Sequence, residues 1–367
     1  MKRVLIYRDS LLPISETFIA AQARALRSYD PIFVGLQRTD PCLPLEFKTI
    51  LLTDKRRIQS RKRSEFLIRL CLAPAFYTKL GRAKAELMHA HFAPDGVRGS
   101  RISKHLGIPL IVSLHGYDVT TRQDFKTKYA KLWKEASLFV CVSEFIRRKA
   151  IEAGFPLGKL ITHYTGIDKN EFVSSAEKRV PGLVLFVGRL VEKKGCEVLI
   201  RAMEYVSRQA PNAHLLVVGD GPLRPALSEL GSQIKAPIRF AGALSPEQVR
   251  YWMRKATVFC VPSLTAANGD SEGFGMVFLE AQACGTPVVS TLHGGIPEAV
   301  RNMETGTLTQ EGKVDELADA IVMYLTQPKL AAEHGARGQL WVKERFDLSK
   351  QTDLLEDLYE QVITQRS

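Results

Sequence analysis

Twelve short apolar runs, each followed by a helical stretch, are the feature that most narrows what this chain can fold into. The first set is Val4–Tyr7, Ile32–Leu36, Leu87–His91, Pro109–Leu114, Leu138–Val142 and Leu160–Tyr164. A polar stretch, "KNEFVSSAEKRVPG" (169–182), interrupts the pattern. It restarts as Leu183–Val187, His214–Val218, Ile238–Ala241, Val258–Val261, Pro287–Ser290 and Thr305–Leu308. The runs are mostly continuous in Val, Ile and Leu, so their strands must be covered on both sides. Strands alternating with helices mean parallel sheets, and two series of them mean two doubly wound α/β domains. Such sheets bind ligands in the loops after the carboxyl ends of their strands. No apolar run approaches the ~18–20 residues that a membrane span requires. The opening "MKRVLIYRDS" reads as a first strand, its apolar run being too short for a signal peptide.

Charge and cysteine narrow the class further. The formal net charge is +12, and it is uneven: residues 1–170 carry +15 and residues 171–367 carry −3. A basic first half beside a near-neutral second half points to an anionic partner for the first half alone. The six cysteines (Cys42, Cys71, Cys141, Cys196, Cys260, Cys284) contain no C-x-x-C pair. They read as small buried hydrophobes in a reducing compartment, not as a disulfide frame or a zinc site.

Among the loops, "DSEGFGMVFLEAQACGTPVV" (270–289) asks most of its residues. It follows the strand-like "ATVFCVPS" and runs from a glycine-rich loop into a helix, a Gly stop and the next strand. Glu272 reads as an exposed carboxylate on the loop, and Glu280 falls a turn or so into the helix. Gly273, Phe274 and Gly275 lie where a helix N-terminus presents free N–H groups, a ready anion site. Two carboxylates around an anion site suit a ligand with a phosphate and several hydroxyls, such as a sugar nucleotide. Glycosidase chemistry needs both carboxyls flanking one bond, about 5–9.5 Å apart, and a phosphate site between them argues against it.

Other loops leave their alternatives open. "VLFVGRLVEKKG" (184–195) places Arg189, Lys193 and Lys194 before Gly195 and a helix; it is a phosphate clamp or a solvated basic loop. "HLLVVGDGPLR" (214–224) holds Gly219 and Gly221 but lacks a full G-x-G-x-x-G; it is a close-approach site or a plain tight turn. "LIVSLHGYDVT" (110–120) ends a strand at His115, either a hydrogen-bond donor to a sugar or a satisfied strand-end histidine. "LMHAHFAPDG" (87–96) puts His89 and His91 on one side of a strand with no third metal ligand at a recognisable spacing. "DKRRIQSRKRSEFLIRL" (54–70) is a basic amphipathic stretch; an anionic membrane surface, a solvated face and nucleic acid are the options, and no nucleic-acid recognition motif accompanies it. No D-x-D pair occurs, so a metal–diphosphate site is unsupported and cationic side chains must neutralise the diphosphate instead.

Taken in order, "VGRLVEKKG", "VVGDGPLR", "FAGALSPEQVRYWMRKATVFCVPS", "SEGFGMVFLE", "GTPVVSTLHGGIPE" and "FDLSKQTDLLEDLYEQVI" resemble the retaining glycosyltransferases of family 4, which have the GT-B fold. In the first half "SETFI", "HAHF" and "HGYD" look like the branch that builds bacterial exopolysaccharides of colanic-acid and amylovoran type. One departure is "YTGID" (164–168), where many members have Asn in place of Thr165.

The resemblance implies two Rossmann-like domains facing each other across a cleft. Residues 1–170 and about 350–367 would form the acceptor side, and 171–349 the donor side. Arg189 and Lys194 would hold the donor diphosphate. Glu272, with the amides of Gly273, Phe274, Gly275 and Met276, would bind the donor sugar and phosphate, and Glu280 the ribose. Gly219, Gly221 and Leu244 would line the nucleotide, and His115 would sit by the anomeric carbon. Ser15, Glu16, Thr17, Phe18 and His91 would shape the acceptor side. Neither a metal nor a cofactor is expected, the nucleotide sugar being a substrate, with a UDP-sugar favoured and a GDP-sugar possible. The acceptor would be a glycan, by resemblance lipid-linked, and the protein would work in the cytoplasm at the inner face of the cell membrane. Rival readings are a sugar-nucleotide epimerase, a phosphorylase, a non-enzymatic nucleotide-sugar-binding scaffold and a nucleic-acid-binding protein.

Overall fold

A computed structural model of the protein describes residues 1–13, 16–39, 42–43, 46–53, 68, 73–173 and 178–365. By its contacts the chain divides into two units. One comprises Met1–Val119, Gln123–Gly166 and Leu348–Ser367; the other comprises Thr120–Arg122 and Ile167–Asp347.

Each unit is built on a parallel sheet. In the first, the strands are β1 (Lys2–Tyr7), β3 (Tyr29–Gly35), β5 (Thr49–Leu51), β6 (Leu87–His91), β7 (Leu110–Leu114), β8 (Leu138–Cys141) and β9 (Leu160–Thr162), in the order β5-β3-β1-β6-β7-β8-β9. Two further strands, β2 (Ser10–Leu11) and β4 (Gln37–Arg38), pair with each other. In the second unit β10 (Leu183–Val187), β11 (His214–Val218), β12 (Ile238–Gly242), β13 (Val258–Cys260), β14 (Val288–Thr291) and β15 (Gly306–Thr309) run β12-β11-β10-β13-β14-β15. Both sheets are therefore wound outward from their first strand in two directions. The switch point lies between β1 and β6 in one unit and between β10 and β13 in the other. At such a point the loops of adjacent strands leave on opposite faces and open a crevice.

All twelve apolar runs of the sequence became strands. The three that were not expected, β2, β4 and β5, are two or three residues long, too short to leave a periodic signal. The central strands are covered on both faces: every residue of β6 and β7 is buried, including the polar His89, His91 and Ser113. The helices over them show the complementary pattern. In Cys196–Gln209, Leu199, Ile200, Met203 and Val206 fall at helical spacing and are fully buried, each stabilising the fold by roughly 1.5–3 kcal/mol. The final helix, Leu348–Thr364, packs on the first unit. Glu356 accepts the backbone N–H groups of Arg27 and Ser28, and Tyr29 donates its hydroxyl to Glu360 at 2.7 Å. The free cysteines Cys141, Cys196, Cys260 and Cys284 are buried. Among the described residues no helix is long and apolar enough to cross a membrane.

Candidate functional site

The richest chemistry of the second unit lies at its switch point. β10 runs into Gly188, Arg189 and a 3-10 turn at Glu192–Lys194, and then the helix Cys196–Gln209 begins. Gly195, at φ +62°, makes this turn possible: a Cβ there would sit 1.9 Å from the Pro262 carbonyl oxygen on the β13 loop. The two loops thus meet backbone to backbone, and their side chains interlock. The Lys194 ammonium is bonded to the Glu272 carboxylate. Lys193 reaches Asp270 at 3.1 Å. The Arg189 guanidinium is exposed and has no partner among the described residues.

Glu272 departs from the sequence expectation. It is not an exposed loop carboxylate but is 9% exposed. Burial alone would raise its pKa; the Lys194 and Lys193 ammonium groups and the bond from Lys194 outweigh that and hold it below the usual value. It therefore stays ionised at neutral pH. Beyond it, Gly275 at φ +86° turns the chain into the helix Met276–Ala283, which opens with no side-chain cap. Its first amides accordingly lack intrahelical partners. The Met276 end of this helix faces the same loop that carries Glu272.

Glu280 lies on that helix, half-buried, and its carboxylate has no hydrogen-bond partner among the described residues. Burial is the main reason its pKa rises to about 7; the neighbouring Glu171 adds to this, and Arg250 and Lys194 oppose it. Arg250 is itself paired with Glu171 at 3.2 Å. A half-buried carboxylate without a partner among the described residues is costly, which makes Glu280 a candidate ligand-binding group.

Gly219 and Gly221 have a clear structural task. Cβ atoms there would lie 1.9 Å from the Gly188 carbonyl oxygen and 2.5 Å from that of Leu190. They let the β11 loop press against the β10 loop that carries Arg189. Leu244 stands half-buried after β12, just before a helix closed by a Ser245/Gln248 capping box.

On the first unit the loops after β1, β6 and β7 gather a second cluster. His91 Nδ1 is 3.1 Å from His115 Nε2, and His91 stacks on both His89 and His115. Burial, and then the neighbouring histidines and Arg8, keep His91 and His115 well below the ordinary histidine pKa, so both are neutral. Phe18 and Phe92 pack on the His115 ring, with centroids 5.2 and 4.4 Å away. His89 is bound by Ser113 and Tyr359, both at 2.7 Å, and serves the interior. Glu16 is also committed: its carboxylate holds the Arg8 guanidinium, which in turn bonds Asp95. Thr17 and Phe18 are half-buried beside it at the start of the helix Thr17–Ala25. Ser15 and nearly all of the basic stretch 54–70 lie outside the described residues. Among the described residues no cluster of three or more His, Cys, Asp or Glu has the form of a metal site.

Several members of this cluster were not singled out from the sequence. Asp118 is fully buried and accepts the backbone N–H groups of Ala93, His115 and Gly116, so it fixes the loop on which His115 stands. Its place in "HGYD" is the signal that could have found it. Arg8, Asp9, Asp95 and Arg98 form buried ion pairs across the switch point, linking Arg8 to Asp95 and Arg98 to Asp9. Only the strand order brings them together. Phe92 stands at φ +71°, strained for an aromatic residue and of the kind found at functional sites.

With fold and sites in view, the comparisons with known proteins fall into place. The family model described as "Glycosyltransferase Family 4" matches residues 15–171, and the one described as "Glycosyl transferases group 1" matches residues 168–341. Together these two matches run through both units, and the chain belongs to the group 1 and family 4 glycosyltransferases. The amylovoran biosynthesis glycosyltransferase AmsK of Erwinia amylovora is 31% identical over 252 residues, covering 66% of this chain and 62% of that protein. The GDP-mannose-dependent alpha-(1-6)-phosphatidylinositol monomannoside mannosyltransferase of Mycolicibacterium smegmatis is 31% identical over 252 residues, covering 65% of this chain and 66% of that protein. The chain thus spans less than two thirds of the length of these curated relatives. Among solved structures, Anabaena Alr3699/HepE in complex with UDP and glucose superposes with a TM-score of 0.79 over 98% of this chain and 100% of that one, at 21% identity. That likeness shows the fold to be GT-B.

Proposed function

We propose that this chain is a retaining hexosyltransferase that moves a sugar from a nucleoside-diphosphate donor to a hydroxyl of a glycan acceptor in cell-surface polysaccharide or glycolipid assembly. The observation that carries the reading is the junction at the second unit's switch point. There the β10 loop, which carries Lys194 and an Arg189 guanidinium without a partner among the described residues, meets the β13 loop, which carries Glu272, paired to Lys194, and an uncapped helix start. Cations and amides suit a diphosphate, and carboxylates suit sugar hydroxyls. Glu272 takes the hexose and Glu280 the ribose, with Leu244 nearer the base.

In the reaction the bond between the anomeric carbon and the β-phosphate oxygen breaks, and a bond from the acceptor oxygen to the same face of that carbon forms. The acceptor proton passes to the departing phosphate oxygen, so no enzyme nucleophile is required. Arg189 and Lys194 stabilise the charge that develops on the leaving group, which makes electrostatic preorganisation the main catalytic effect. On the first unit His115, neutral and set by His91 and Asp118, is the group read as meeting the sugar. Thr17 and Phe18 are read as acceptor-side residues. The acceptor is lipid-linked, and the basic stretch 54–70 brings the enzyme to an anionic membrane surface. No metal or cofactor takes part.

The base is a uracil or a guanine. A UDP-sugar is favoured by the HepE complex, and a GDP-sugar by the mannosyltransferase relative. A thermal-shift panel with UDP, GDP, ADP and NAD, on the wild type and on Glu280→Ala, decides between them. A ligand at about a hundred times its Kd adds ~2.7 kcal/mol, enough to move the midpoint by a few degrees. A shift with UDP or GDP that is lost in the variant supports the donor site and names the base. A shift with NAD, or one indifferent to Glu280, overturns the assignment. Release of nucleotide from UDP-glucose or GDP-mannose then separates an enzyme from a binding scaffold.

A further inference from the structure

Three loops of the second unit are tied together through a single imidazole. The backbone N–H of Glu272, on the β13 loop, donates to His293 Nε2 at 3.1 Å; His293 follows β14. On the other side of the ring Nδ1 lies 2.7 Å from Glu311 Oε1, just past β15. The roles of these atoms follow from their chemistry. A backbone amide nitrogen can only donate, so Nε2 is the acceptor and carries no proton. An ionised carboxylate can only accept, so the proton is on Nδ1. The ring is thereby fixed as the neutral Nδ1–H tautomer with both nitrogens used. The ring is 4% exposed, so its nitrogens are shielded from water, while the Glu311 carboxylate forms the solvent-facing end of the relay. The second oxygen of Glu311 accepts the Thr265 N–H at 2.8 Å, which anchors the far end of the relay to the β13 loop itself.

The carbonyl side of Glu272 is held as well. Its oxygen accepts the Gly295 N–H at 3.1 Å. Gly294, at φ +58°, brings the β14 loop so close that a Cβ there would stand 2.2 Å from that oxygen. The Glu272 backbone is thus pinned at its N–H and at its C=O, while its side chain is drawn to Lys194. Such pinning is far more than a loop carboxylate needs in order to stay folded.

We propose that His293 and Glu311 are positioning residues of the transfer reaction: they lock the main chain of Glu272 and so aim its carboxylate at the donor sugar. This rests on the role assigned above to Glu272. A displacement of about 1 Å at a reacting group can cost on the order of a hundredfold in rate, so losing the relay should be visible in turnover even though neither residue touches substrate.

The test combines a spectroscopic and a kinetic readout on the full chain. Histidine-selective ¹⁵N spectra at neutral pH should show His293 with a protonated Nδ1 and an unprotonated Nε2. UDP-glucose and GDP-mannose serve as kinetic probes. His293→Leu should lower kcat by roughly 10–100-fold while leaving the donor KM within about threefold. His293→Gln, whose amide oxygen reaches the place of Nε2, should recover most of that loss. Glu311→Ala, altered at the solvent end of the relay and so least able to disturb folding, should fall between the two. Amide exchange at Glu272 should quicken in the Leu variant and not in the Gln variant. An imidazolium or Nε2–H signature, wild-type kcat in folded His293→Leu, or a Gln variant no better than Leu would each overturn the proposal. If Glu272→Gln keeps wild-type turnover, the role of Glu272 fails instead, with the tautomer and the exchange pattern still as described. If the wild type turns over neither probe, exchange and tautomer alone decide whether the relay exists, and an unprotected Glu272 amide overturns it.

Discussion

Glu280 should make donor binding pH-dependent across neutrality, and the structure sets the size of the effect. Its pKa rises from 4.5 to about 7, chiefly through burial. Hydroxyl groups of a ribose donate, and an ionised carboxylate accepts them through both oxygens; the protonated acid gives up part of that capacity. With a pKa near 7, about nine-tenths of the carboxyl is ionised at pH 8 and about one-tenth at pH 6. The Kd should therefore be higher at pH 6 than at pH 8 by up to about tenfold, ~1.4 kcal/mol. Isothermal titration with UDP-glucose or GDP-mannose is the assay, because a sugar diphosphate diester has no proton to lose in this range. Glu280→Gln should bind weakly and with no slope. The same group bears on stability with a definite sign. Its folded pKa lies above its unfolded one, so the fold holds the proton more tightly and loses stability as pH climbs from about 4.5 to 7. The full shift corresponds to about 3 kcal/mol; partial exposure screens it to roughly 2 kcal/mol. Glu280→Gln should then be more stable than the wild type at pH 8, by roughly 3 °C in midpoint, and equal to it near pH 4.5. A wild-type Kd that is flat from pH 6 to 8, or a Gln variant with the same slope as the wild type, refutes the reasoning.

Other consequences are equally open to measurement. Lys194→Met should lower kcat by at least about a hundredfold and, by leaving the Glu272 carboxylate nearly buried without its cation, cost about 3 kcal/mol in a denaturant titration; adding Glu272→Gln should restore most of the stability and none of the turnover. Gly195→Ala should destabilise by well over ~1 kcal/mol, because the new Cβ strikes the Pro262 carbonyl as well as meeting the left-handed backbone penalty. Gly312→Ala, at φ +72° with nothing within 4 Å of the added atom, should pay only that penalty of ~1–2 kcal/mol. Neutralising Arg61, Lys62 and Arg63 together should abolish binding to phosphatidylserine-containing vesicles in a sedimentation assay; unaltered binding would remove the basic stretch as a membrane contact.

What the sequence made legible follows from where the information lies. A strand buried on both faces is usually apolar along its whole length, so β10 and β13 announce themselves in a few residues. The edge strand β5 is three residues long, and β2 and β4 are two each; none has length enough for a pattern. The family resemblance supplied the GT-B fold, which the strand pattern alone narrows only to a pair of doubly wound sheets. Loop residues were legible as types and not as partners. Lys194 and Glu272 were both recognisable as candidates, but that they bind each other depends on β10 and β13 being neighbours, which a separation of 78 positions in the chain conceals.

The same logic explains the residues that went unnoticed. His293 and Glu311 sit in loops that look like ordinary strand-to-helix turns, and each gains meaning only through an atom on a different loop. Asp118 is the contrasting case: its partners include His115 and Gly116, three and two residues upstream, so the local sequence held the answer. In a doubly wound sheet, residues at adjacent strand ends are close in space however far apart they lie in the chain. A carboxylate such as Glu280 can be read from its own loop-to-helix segment, because the role proposed for it is to meet a ligand. A residue whose task is to hold that carboxylate still is read only after the strand order is known. That is why, in this protein, the groups proposed to face the donor were within reach of the sequence and the groups behind them were not.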